Sequence, residues 1–239
     1  MNMRNQFEAF IDDLRAAHGR NLASVILYGS AAAGDFIKNQ SDYNLLIALD
    51  KITPKDLRAA QAPMREWSKL GHPVPIYFTV SELKTAADVF PIEFRQMEKA
   101  RKVLYGADVL ANVTISDEHL RHQTEFELRS KLIQLRRRYI PASVSVEGLA
   151  ALMSQSLSSF AALFRAVLLL HGIDSPVNKH EIVALTAQHL QIDGAPFEKI
   201  FNIRENNFVK KLDEIEANQL FSDYMEQIEK VIEAVDKLS

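Results

Sequence analysis

Gly29 and Ser30 close a short apolar run that begins at Val25, and after a polar loop Asp42 and Asn44 open a second apolar run that ends at Leu49. Two residues apart on an extended chain, Asp42 and Asn44 place both side chains on one face of a strand. The chemistry open to such a set is phosphate chemistry. Glycine lets a backbone approach a phosphate with no Cβ in the way, and Ser30 adds a hydroxyl and an N–H at the start of the Ala-rich turn that follows. An acidic pair on one strand face is how a protein holds Mg²⁺ against a nucleoside triphosphate. Here one member, Asp42, is an acid and the other, Asn44, is a neutral amide.

The ordered set Gly29-Ser30, Gly34-Asp35, Ser41-Asp42-Tyr43-Asn44 and a second apolar strand resembles the nucleotidyltransferase superfamily, which includes DNA polymerase beta and the aminoglycoside nucleotidyltransferases. That family's pattern is Gly-Ser, then Asp-x-Asp, then a third carboxylate on a later strand. The resemblance implies that Gly29 and Ser30 bind the nucleotide, that Asp42 is the catalytic and metal carboxylate, and that Asn44 occupies the second metal position. It implies Mg²⁺ as cofactor, weakly held and arriving with nucleotide, and a nucleoside triphosphate and a hydroxyl acceptor as partners. Asn44 departs from the pattern, and no acid lies between Val74 and Val80, where the third carboxylate is expected.

The elements that must position these residues are legible as patterns. Phe7, Phe10, Ile11 and Leu14 recur at helical spacing, and His18-Gly19 reads as the helix C-terminus, a last turn able to carry a cation followed by a left-handed cap. Strands follow at Ser24–Tyr28 and Tyr43–Leu49. Thr53-Pro54-Lys55-Asp56 is a helix start whose buried stripe is Leu57, Ala60, Met64 and Trp67, with the sole Trp read as core. Pro75 confines the run His72–Val80 to a strand start or a sheet edge. Glu82 reads as a first-turn acid of a helix after Ser81, and Asp88 as part of a solvated face. A short helix through Phe90-Pro-Ile-Glu-Phe94 and a last strand at Arg101–Gly106 complete this half. Phe-Pro-Ile-Glu-Phe followed by Val-Leu-Tyr-Gly also resembles the end of the catalytic domain in small members of the superfamily.

Everything after Ser116 reads as helical. Leu120, Thr124, Leu128, Leu132, Leu135 and Tyr139 lie on one stripe, Leu149–Leu170 is apolar nearly all round, and Leu220–Leu238 repeats every three or four residues. Asn178 and Pro196 open further helices, so about four to six antiparallel helices are expected. Such a bundle resembles the C-terminal domain of the aminoglycoside nucleotidyltransferases, whose relatives include HEPN domains. Arg165 and His171 have a spacing allowed in the HEPN ribonuclease motif, but six residues put them about 120° apart on a helix. The basic run Arg136–Arg138, with Arg129 and Lys131 a heptad earlier, reads either as a solvated cationic helix end or as a triphosphate clamp.

The expected class is thus α+β. Residues 1–114 form a nucleotidyltransferase-like domain, a mixed sheet with flanking helices, and residues 115–239 an all-α bundle. The 239 residues carry 47% hydrophobic and 25% charged side chains and a net charge of −3, which gives no global drive toward nucleic acid or anionic membrane. Nucleic acid and a second copy of the chain stay open as partners. The absence of cysteine excludes disulfides, thiolate metal sites and thiol catalysis. The acidic amphipathic N-terminal helix is unlike a signal peptide, and no apolar run is read as membrane-spanning, so a cytoplasmic protein is expected. Two functions fit: transfer of a nucleoside monophosphate to a hydroxyl, or a degenerate nucleotide-binding or regulatory module, toxin–antitoxin-like, in which the depleted metal site has cost most of the activity.

Overall fold

The computed structural model describes residues 3–33, 43–176, 178–206 and 212–238. The chain divides into two compact units, Met1–Ser116 and Asp117–Ser239.

In the first unit, helix α1 (Met3–His18) ends at Gly19, whose φ of +54 supplies the left-handed cap, and a single 3-10 turn leads into β1 (Leu22–Tyr28). The sheet has the order β3-β2-β1-β4: β1 runs antiparallel to β2 (Asn44–Leu49) and to β4 (Arg101–Gly106), and β2 runs parallel to the edge strand β3 (Ile76–Thr79). Strands buried on both faces need apolar side chains at every position. That is why β1 and β2 read as continuous apolar runs. Val25, Leu27, Leu45, Ile47 and Leu49 pack against Phe10 and Leu14 of α1 and Trp67 of α4 (Gln61–Lys69), while Ile26, Leu46 and Ala48 pack against α5 (Val80–Thr85) and α6 (Pro91–Lys99).

Two expectations are corrected here. The helix after Thr53 is two helices, α3 (Pro54–Ala59) and α4, broken at Ala60, because Pro63 has no N–H to continue the hydrogen-bond ladder. The break turns Leu57 outward, 49% exposed, so it is not part of the buried stripe. Helix α5 starts earlier than Ser81, at a Thr79 N-cap whose N–H is bonded by Glu82 at 2.7 Å. His18 ends α1 as its sequence context suggests, and there it is buried: its Nε2 lies 3.4 Å from the Tyr77 hydroxyl, and burial pushes its pKa down, an effect the Asp56 charge opposes.

The second unit holds α7 (Asp117–Ala142), α8 (Val146–Leu170), α9 (Lys179–Leu190), α10 (Ala195–Asn206) and α11 (Glu214–Asp236). Contrary to expectation, α8 is long and apolar enough by length and composition to cross a membrane. Its place in the bundle accounts for that composition, since α7, α9, α10 and α11 all pack on it. His171 forms its C-cap, and the Arg165 guanidinium donates to the Pro176 carbonyl at 3.2 Å.

Candidate nucleotide site

The end of β1 gathers the residues with chemistry. Tyr28 lies opposite Asn44 of β2 and Arg101 of β4. Gly29 then turns the chain with φ +80, a left-handed conformation that costs a residue with a Cβ about 1–2 kcal/mol. Its carbonyl accepts from the Ala32 N–H at 2.9 Å, which starts the short helix α2 (Ser30–Ala33) between β1 and β2 in the chain. Its own N–H donates to the Ala100 carbonyl at 3.0 Å. The Gly29 N–H is therefore spent on the sheet. The donors the turn can offer a phosphate are the N–H groups of Ser30 and Ala31, which take no part in those bonds.

A Cβ placed on Gly29 would meet the Asn44 Nδ2 at 3.5 Å, an ordinary contact. Glycine is needed here for its backbone angle rather than for space. The same distance places the Asn44 amide beside the turn, so two of the four expected site residues come together. Ser30 joins them through its backbone. Its side chain, and the whole of Asp42, lie outside the described residues.

Alternation along β2 puts Asn44 on the face of Leu46 and Ala48, the face covered by α5 and α6. On that face stands an acid that sequence reasoning passed over. Glu93 sits exposed in the first turn of α6, between buried Ile92 and Phe94. The Tyr28 phenol is pushed up first by burial and then by the negative charge of Glu93, which puts that carboxylate within electrostatic reach of the residue paired to Asn44. The two acids nearest in the chain to the missing third carboxylate stand as their sequence context suggests: Glu82 closes the α5 capping box, and Asp88 is exposed in the turn before α6. Arg101, next to Tyr28, is no loose phosphate clamp, because Asp108 holds its guanidinium at 3.0 Å.

Among the described residues no group of three or more His, Cys, Asp or Glu side chains could hold a metal ion. Asn44 brings a neutral oxygen and Glu93 one charge. Mg²⁺ dehydrates reluctantly and is normally held by one or two carboxylates plus substrate phosphates. The described residues alone fall short of that set, so the nucleotide phosphates would have to do most of the holding.

A mixed four-stranded sheet whose first strand ends in a glycine turn, followed by an all-helical unit, makes this an α+β fold. The chain is similar to spectinomycin adenyltransferase AAD(9) from Enterococcus faecialis, whose crystal structure includes ATP and spectinomycin. The likeness covers 99% of this chain and 100% of that one, with a TM-score of 0.61 and 14% sequence identity. At that identity the likeness speaks for the fold. No protein-family model and no curated protein matches the chain.

Proposed function

We propose that the Gly29–Ser30 turn binds the phosphates of a nucleoside triphosphate, and that the protein is a nucleotidyltransferase-type nucleotide binder whose transfer to a hydroxyl acceptor is slow. The observation that carries this reading is the Asn44 amide beside the left-handed turn at Gly29. The binding turn is kept, while the strand position next to it carries no charge. The shared fold with an adenyltransferase solved with ATP supports a nucleoside triphosphate as ligand. Asp42 remains the candidate metal carboxylate, with Mg²⁺ arriving on the nucleotide.

Glu93 favours a second reading, transfer at ordinary rates. A carboxylate near the reacting phosphate can accept the proton of an acceptor hydroxyl as that oxygen bonds to phosphorus and pyrophosphate leaves. Calorimetric titration of ATP with and without Mg²⁺, on wild type and Gly29→Ala, tests the binding claim. Tight, saturable binding that Gly29→Ala weakens supports it; no binding in either condition removes it. Pyrophosphate release in the presence of sugar, antibiotic, RNA and protein acceptors separates the two readings.

A further inference from the structure

Helix α7 carries its cations on two sides, and the two sides meet different chemistry. Toward α11, Arg136 pairs with Glu229 at 2.6 Å and Arg129 lies 3.7 Å from Asp236, and Arg129 also pairs with Glu125 of α7 itself at 2.7 Å. Toward α8, Lys131, Gln134 and Arg138 line a cavity of about 40 Å³ with Ser156 and Ser159, floored by apolar side chains that include Leu135 and Phe160. No carboxylate lines it, and neither Lys131 nor Arg138 has an acidic partner among the described residues. Helix α8 cannot supply one there, since its acid, Glu147, lies in its first turn. Where α11 offers carboxylates, α8 offers hydroxyls.

The donor inventory is one-sided. Lys131 gives an ammonium, Arg138 a planar fork and Gln134 an amide, from three positions spaced along one side of the helix. The Ser156 hydroxyl donates to the Met153 carbonyl at 3.0 Å and lies 3.0 Å from the buried Tyr224 hydroxyl, so it is committed inward. Ser159 is exposed and its hydroxyl is available at the rim. At roughly 10–15 Å³ for each water-sized position, the cavity has room for about three, enough to seat three oxygens of a tetrahedral phosphate with the fourth, the ester oxygen of a phosphomonoester, facing out.

We propose that this cavity is an oxyanion site for a phosphate group, from inorganic phosphate or a phosphomonoester, bound by Lys131 and Arg138 with Gln134 and Ser159. It belongs to the helical unit alone and does not rest on nucleotide binding at Gly29.

The test is calorimetric titration of the full chain with inorganic phosphate and with glycerol 3-phosphate, against sodium chloride at equal ionic strength. Lys131→Gln and Arg138→Gln are each expected to weaken phosphate about tenfold, the loss of one charge-assisted bond. Arg137→Gln, an equal charge change outside the cavity, is expected to stay within about twofold. Lys131→Arg is expected to restore binding, which separates a lost cation from a disturbed fold. Tighter binding of one probe than the other names the source, and either supports the site. Equal weakening by all three charge removals, or no saturable phosphate signal above chloride, overturns it.

Discussion

Gly29 and Asn44 stand side by side at the end of the sheet, the amide nitrogen of one 3.5 Å from where the other would carry a Cβ. The antiparallel register of β1 and β2 makes this contact, because Tyr28 pairs with Asn44 and the chain turns at the next residue. The turn proposed to bind phosphate and the strand position proposed to face its metal are thus adjacent, and an uncharged side chain fills the second.

Gly29→Ala is expected to lower stability by about 1–2 kcal/mol, the cost of a left-handed backbone for a residue with a Cβ. Gly106→Ala is expected to cost more. It shares a positive φ of +77, and its Cβ would sit 2.0 Å from the Ala23 carbonyl oxygen, so β4 must shift. Urea midpoints of the two variants decide this. Equal losses would mean that the space beside Asn44 is tighter than the geometry states.

Stability is expected to fall between pH 7.5 and 5.5. His18 is pushed down by burial, and His171 is pushed down by burial and then by the nearby His189. A histidine whose folded pKa lies below its unfolded value of about 6.5 binds its proton more readily unfolded. Its contribution is complete above that value and is lost as the pH drops through it toward the folded pKa. Carboxylates held low by hydrogen bonds, Asp56 from Thr53 and Glu125 from Arg129, act at lower pH. Urea midpoints across this window should decline for wild type and decline less for His18→Gln; an unchanged slope in the variant would refute the role of His18.

Trp67 is core and not a base-stacking surface. It is 1% exposed, stacks on Phe10 at 4.4 Å between ring centroids, and donates its indole N–H to the Pro73 carbonyl at 3.0 Å. Trp67→Phe keeps a ring and removes that bond, so a loss of about 1–3 kcal/mol is expected from the carbonyl left without its donor. Circular dichroism in urea measures it, and ATP affinity of the folded variant should match wild type. A loss of ATP affinity at full stability would place Trp67 in the site.

Patterns set by local chemistry were legible in the sequence. The Thr53 cap, the β1 and β2 runs and the α7 stripe follow from side-chain period and capping chemistry, which act within a few residues. What needed neighbours was not legible. No periodicity tells that β3 runs parallel beside β2, or that β4 lies against β1. Glu93 was hidden for the same reason. In the chain it is one more first-turn acid, and it gains meaning from the sheet order that brings α6 against the face of Tyr28 and Leu46. The apolar girth of α8 was visible, but what covers it is a property of the bundle.

Asn44→Asp is expected to make nucleotide binding depend on Mg²⁺, and Glu93→Gln to set whether any transfer follows. In the wild type the strand position beside the Gly29 turn is neutral, so removing Mg²⁺ should change ATP affinity by less than about tenfold, the nucleotide phosphates holding the ion themselves. A carboxylate there adds an attraction of about 4 kcal/mol for each unit-charge pair at 4 Å and an effective dielectric of 20, reduced by the cost of desolvating the acid. Tenfold or more tightening with Mg²⁺, and none without it, is the expected calorimetric result. Pyrophosphate release by Asn44→Asp should then exceed that of wild type. Adding Glu93→Gln should abolish the gain without weakening ATP, since a general base acts on the acceptor hydroxyl and not on nucleotide binding. Wild type that already binds Mg–ATP far more tightly than ATP and turns over at ordinary rates would show that Asp42 and Glu93 suffice, and the reading of a charge-depleted site would be wrong.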